Sequence, residues 1–286
     1  MKSFKIISYA ILGIMLIAQT ACKKDNNTGT NDSDTSYDLS SKQAISENLT
    51  EDVNNLVFTT IDDKNFSFKN YNNGSVDNGL PPCATVTVTG GIPKVITINF
   101  GSGCTDTFGI FRSGIIQISL SDSVRNYGST ATVTFNNYHV NRFKKEGTII
   151  WTNLTANTAT TTRTWSREVQ NGRITDTTDY RYWLHSGTRT VTQYVGVGTP
   201  RTRYDDRYKI YNGTGSVTNT AGVTMTTSIV DTLFKSFLCP HIDKGTIRFD
   251  RSGHYAILDY GNGTCDNIAT VTIDGNTSNP RTVILP

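Results

Sequence analysis

The sequence predicts an all-β protein: an antiparallel meander forming a sandwich or a partly open barrel, with one short N-terminal helix. Three observations predict it. The 286 residues include 45 threonines, 13 tyrosines and 24 glycines but only four glutamates. Threonine and tyrosine suit a pleated, half-buried surface, whereas glutamate, alanine and leucine favour helices. From Ala84 onward, runs of alternating apolar and polar residues follow one another, separated by glycine-containing turns. Helical crossovers, which a parallel sheet needs, are missing between those runs, so βαβ units are excluded.

The first residues read as an address. Lys2 and Lys5 precede an apolar run of 13 residues, Ile6 to Ala18, too short to span a bilayer comfortably as a helix. Gln19-Thr20-Ala21-Cys22 follows and resembles the lipobox of a bacterial lipoprotein signal, with Gln19 where leucine is usual. The resemblance implies cleavage after residue 21 and acylation of Cys22. The stretch Lys23 to Tyr37 is polar and reads as a disordered tether. The expected organisation is a signal peptide over 1–21, a lipidated cysteine and tether over 22–38, and a single β-rich domain over 39–286. Lys23, where some bacteria use aspartate to retain lipoproteins in the inner membrane, implies the outer membrane. Loss of Lys2 and Lys5 lowers the formal charge from +3 to +1, which gives no global drive toward nucleic acid.

Four cysteines are left: Cys83, Cys104, Cys239 and Cys265. In an exported chain an even number reads as disulfides. A hairpin of Ala84–Thr89 with Val95–Phe100 places Cys83 opposite residues near 102. A hairpin of Thr246–Asp250 with Tyr255–Tyr260 places Cys239 opposite residues near 266. The expected pairs are therefore Cys83–Cys104 and Cys239–Cys265. Each cysteine pair closes on one copy of a repeated block, Ile98-Asn99-Phe100-Gly101-Ser102-Gly103-Cys104-Thr105-Asp106 and Leu258-Asp259-Tyr260-Gly261-Asn262-Gly263-Thr264-Cys265-Asp266.

Ser41 to Phe58 is the helix, with Ala44, Ile45, Leu49, Val53, Leu56 and Val57 on one face and Ser40 or Ser41 as its cap. It is expected to cover an end or a face of the β core. A short piece at Phe66–Phe68 and a turn at Tyr71–Gly74 follow. Further strands are read at 113–121, 131–140, 148–153, 161–169, 173–184, 188–195, 204–211, 216–219 and 223–237. Glu146-Gly147, Asn171-Gly172, Ser186-Gly187, Asn212-Gly213 and Ala221-Gly222 read as the turns between them.

Chemistry-bearing motifs are few. His139, His185, His241 and His254 form no metal pair, and nucleophile elbows and phosphate loops are missing. Adjacent Asp205 and Asp206 would point to opposite faces of a strand. No cofactor or metal is implied. The segment 163–211 is rich in arginine and aromatic residues. Trp165, Trp183, Arg181, Tyr182 and Arg189 are its candidate ligand surface, because aromatic faces and arginine forks suit sugars and anions.

The run Gly261 to Gly275 and Ser186-Gly187-Thr188-Arg189-Thr190 resemble a set of Bacteroidota-type exported lipoproteins without assigned activity. The resemblance implies a cell-envelope location. Together these readings lead to a non-catalytic, lipid-anchored envelope protein with a structural or interaction role. The alternative is a glycan- or polymer-binding lipoprotein using residues 163–211. The expected partners are the membrane, through Cys22, and a glycan or envelope protein.

Overall fold

The computed structural model describes residues 28–62, 80–123, 126–156, 160–199 and 203–286. The leader, Cys22 and the elements expected at 66–68 and 71–74 lie outside them. Among the described residues one helix, α1 (Thr28–Asp62), precedes fifteen strands. These are β1 (Thr85–Val88), β2 (Lys94–Asn99), β3 (Cys104–Thr105), β4 (Phe111–Leu120) and β5 (Thr130–Val140). They continue as β6 (Phe143–Asn153), β7 (Arg163–Asp176), β8 (Tyr182–Val195), β9 (Arg207–Tyr211) and β10 (Thr214–Asn219). The last are β11 (Thr224–Ser236), β12 (Lys244–Arg251), β13 (His254–Asn262), β14 (Ile268–Ile273) and β15 (Arg281–Ile284).

All strands belong to one antiparallel sheet that runs from β1 to β15 in nearly sequential order. β3 sits beside β4, and β9 and β10 share one lane between β8 and β11. The expected meander is thus observed. Alternation puts one face of each long strand inward, as in β6, where Phe143, Lys145, Ile149, Trp151 and Asn153 are buried.

The helix departs from expectation in length and place. It spans 35 residues, about 52 Å at 1.5 Å per residue, and is not short. Nine consecutive residues, Ser46 to Asn54, are buried, so its middle is covered on every side rather than lying on an end or face. The sheet curls round it. The serines expected to cap its start lie well inside it: Ser40 Oγ donates to Ser36 O and Ser41 Oγ to Tyr37 O. The segment from Thr28 to Tyr37, read as tether, is helical. Its polar residues find partners on the sheet: Asp32 pairs with Arg251 at 3.2 Å and Asp34 with Arg281 at 2.8 Å. Tyr37 donates its hydroxyl to Thr282 O, and Arg281 lies over its ring at 3.7 Å. Tertiary ion pairs supply what apolar burial does not.

Four of the five expected turns are not turns. Gly147 lies inside β6, Asn171-Gly172 inside β7 and Ser186-Gly187 inside β8; Asn212-Gly213 only interrupts the β9–β10 lane. Ala221-Gly222 does join β10 to β11. The first three sit at or beside bulges. Pairing slips on β4–β5, β5–β6, β6–β7 and β7–β8, and again on β11–β12 and β12–β13. Gly147 and Asn171 take a positive φ at their bulges, as an Asn-Gly hairpin turn also requires, so there the local signal is the same. Bulges bend strands and increase twist, and a band of them across neighbouring strands curls the sheet. The run 173–184, read as one strand, is broken instead by the turn at 177–181, where Tyr180 takes a φ of 58°.

The disulfides are Cys83–Cys104 and Cys239–Cys265, as the hairpin registers imply. The two repeated blocks fold alike. Asn99 Oδ1 accepts from the Gly101 amide and Asp259 Oδ1 from the Gly261 amide, both at 2.8 Å. Asp106 and Asp266, just past the cysteines, accept from the amides of Phe108 and Ile268.

Gly147 tests the bulge band. Its φ is +107°, and a Cβ there would lie 2.6 Å from Asn171 O and 2.8 Å from Gly172 Cα. Gly147→Ala is expected to lower the unfolding free energy in urea by about 2 kcal/mol or more. Gly198→Ala, where a Cβ meets nothing within 4 Å, should change it by less than about 0.5 kcal/mol. Equal effects would contradict the bulge account.

Candidate functional site

The densest chemistry lies inside the curl. Glu47, Glu51 and Asp52 of α1 are buried, although helix carboxylates ordinarily face water. Arg112 on β4, Lys145 on β6, Arg167 on β7, Arg189 on β8 and Lys235 on β11 are buried too, each on an inward strand position. Burying such groups is tolerable only when they are paired and hydrogen-bonded.

The pairing is closely shared. Glu47 accepts from Arg167 Nη2 at 3.0 Å and from Arg189 Nη2 at 2.9 Å. Arg167 and Arg189 are direct partners across β7 and β8, so one carboxylate bridges two neighbouring strands. Arg167 also binds Glu51, one helical turn further on. Arg112 grips Asp52 with two nitrogens and reaches Asp106, next to the first disulfide, at 2.6 Å. Trp183 Nε1 donates to Ser46 Oγ at 2.8 Å. Further along, Phe58 packs against Trp151, Trp165 and Tyr208.

The electrostatics follow from this arrangement. Burial alone would raise the Glu47 carboxyl, but Arg189 and Arg167 outweigh it and hold it at about 2. Lys145 is different. Three arginines face the three helix carboxylates, and the only hydrogen-bond partner of its ammonium among the described residues is Thr50 Oγ1 at 3.0 Å. Burial, with Arg167 adding to it, brings Lys145 down to about 7. Burial also lowers Lys235 to about 8, and burial with Lys145 nearby lowers His185 to about 3. Tyr138 and Tyr260, fully enclosed, are pushed well above 10 by burial first.

The five candidate ligand residues are not brought together. Trp165, Trp183 and Arg189 point into the core, where they hold α1, so they form no ligand surface. Arg181 is exposed in the β7–β8 turn and pairs with Asp179 at 2.6 Å. Tyr182 faces outward under Arg173, whose guanidinium lies 3.9 Å from the ring centre. Strand alternation separates Tyr182 from Trp183. Asp205 and Asp206 also diverge: Asp205 accepts from Thr199, while buried Asp206 accepts from Gln193 and Tyr208. Among the described residues no group of three metal-ligating side chains forms. Sequence reasoning missed the interior cations and the helix carboxylates. A usable signal existed: two of the four glutamates stand at i and i+4 in α1, and Arg167 shares the parity of Trp165.

Comparison of the chain with protein-family models, with curated proteins and with solved structures finds no match.

Removing the Glu47 charge should cost more than removing an ordinary surface charge. Glu47→Gln leaves two buried guanidiniums short of a carboxylate, and a loss of about 3–5 kcal/mol is expected in chemical unfolding. A loss below about 1 kcal/mol would show that the pairs carry little.

The pH response has a defined sign. Between about 7 and 10.5 for Lys145, about 8 and 10.5 for Lys235 and about 3 and 6.5 for His185, the unfolded chain binds more protons than the fold. The same holds for Glu47 between about 2 and 4.5. Stability therefore rises with pH across each window, and the buried tyrosines reverse the trend only above about 10. Asp243, pushed up by burial, opposes it only near the acid end. Thermal unfolding should give a higher Tm at about pH 9 than at about pH 5, and Lys145→Met should flatten the rise above about pH 7. A Tm that falls over this range would contradict the assignment.

Proposed function

We propose that the protein is a non-catalytic, lipid-anchored component of the outer membrane with a structural or interaction role. The observation that carries this reading is the pair of disulfides, Cys83–Cys104 and Cys239–Cys265, in a chain whose apolar leader runs into a fifth cysteine. Such cross-links persist in oxidising compartments, and Cys22 stands where a lipoprotein signal is cleaved and acylated. The interior supports the non-catalytic part: its carboxylates and arginines are bound to one another and hold a helix.

On this reading the start of α1 bears on how the domain sits. Five residues separate Cys22 from Thr28, so an acyl-anchored chain spans about 20 Å at most before α1 begins. The domain is then held close to the membrane by the N-terminal end of α1.

Expression of the full chain in a Gram-negative host fed an alkyne fatty acid tests the anchor. Label is expected on the wild-type chain and is lost in Cys22→Ser, with the label partitioning to outer-membrane fractions. An unlabelled wild-type chain, or label that survives Cys22→Ser, overturns the reading.

A further inference from the structure

Among the described residues, the outer face of the sheet carries a cationic patch whose two lysines make no ion pair with a carboxylate. Lys209 on β9 and Lys244 on β12 both register against Phe234 on β11. Neither lysine has an ion-pair partner among the described residues, whereas Arg142, Lys144, Arg181 and Arg248 on the same outer surface each pair with an acid. Lys209 Nζ lies 4.6 Å from the ring centre of Tyr194 and 5.9 Å from that of Phe234. Lys244 Nζ lies 5.5 Å from the Phe234 ring centre. Tyr194 and Phe234 meet edge to face, 6.3 Å apart. Both rings are half-buried, and Lys244 is exposed.

Four neighbouring lanes of the sheet thus present two ammonium groups on an aromatic floor. Their registers are locked by the backbone ladder, so the platform is preorganised. Open faces suit an extended chain rather than an enclosed small molecule. The ammonium groups lie over the ring faces, so the rings fix the lysines in place, and ammoniums with no carboxylate partner suit the carboxylate or sulfate groups repeated along an acidic chain.

We propose that Tyr194, Lys209, Phe234 and Lys244 form a binding platform for an acidic polysaccharide. The position on the molecule favours this partner over a lipid surface. The neighbour of Lys209, Tyr208, stacks inside on Phe58, about 45 Å along the helix from Thr28. The patch therefore lies at the end of the domain remote from the anchor. That orientation rests on the lipid-anchored reading; the binding itself does not.

Titration calorimetry with polygalacturonate, on the mature chain carrying Cys22→Ser, tests the platform. Saturable binding that weakens with salt is expected. Lys209→Gln with Lys244→Gln should weaken it about tenfold or more, while Arg142→Gln with Lys144→Gln, which removes the same charge elsewhere, should leave it unchanged. Absence of saturable binding overturns the proposal. Equal losses in both double variants reduce it to general charge attraction, and equal binding of neutral dextran removes the acidic requirement; either result overturns it. Binding of phosphatidylglycerol vesicles in place of polygalacturonate, with the same lysine dependence, assigns the patch to a lipid surface instead. Fatty-acid labelling of Cys22 is read separately, so loss of the anchor reading and loss of the platform are distinguishable.

Discussion

One buried carboxylate, Glu47, is held by two arginines that face each other across adjacent strands. Most of the architecture depends on that contact and its neighbours. A charged helix at the centre of a protein is costly unless its charges are met, and here the strands supply the partners. Arg112, Arg167 and Arg189 come from β4, β7 and β8, so the helix is bound to widely spaced parts of one sheet. For all of them to reach it, the sheet must bend sharply. The band of bulges provides the bend, and at Gly114, Gly147 and Gly245 the neighbouring backbone comes too close for a Cβ.

Charge balance within this interior also explains its odd member. Three helix carboxylates meet three arginines, and Lys145 is left with a hydroxyl. Its depressed pKa is the expected response of an ammonium whose burial, with Arg167 nearby, the carboxylates do not fully compensate. Lys235 is related: its ammonium binds the carbonyl of Cys239, which ties the interior to the second disulfide. The first disulfide is reached through Asp106 on Arg112. Both repeated cysteine blocks thus act as structural staples at either side of the sheet.

Much of this was legible from residue pattern, and the failures share one cause. Alternation found the strands, and hairpin arithmetic paired the cysteines, because both are local and periodic. Asn171-Gly172 misled because the permission it gives for positive φ serves a bulge as well as a turn. Trp183 and Arg189 misled because an arginine and aromatic stretch looks like a surface until bulges reset which residues face inward. The part of α1 before Ser41 was unreadable because its partners, Arg251, Arg281 and Thr282, stand more than 200 residues away. The charges that hold the helix are met inside, and the outer face is where we propose a binding role.

The central claim is that α1 belongs to the cooperative core rather than resting on it. Native-state hydrogen exchange of the amides from Ala44 to Asn54 measures this most directly. The account predicts that they exchange only through global unfolding, with the same opening free energy as the central residues of β7 and β8. Exchange of the helix at much lower free energy, with those strands still protected, would contradict it.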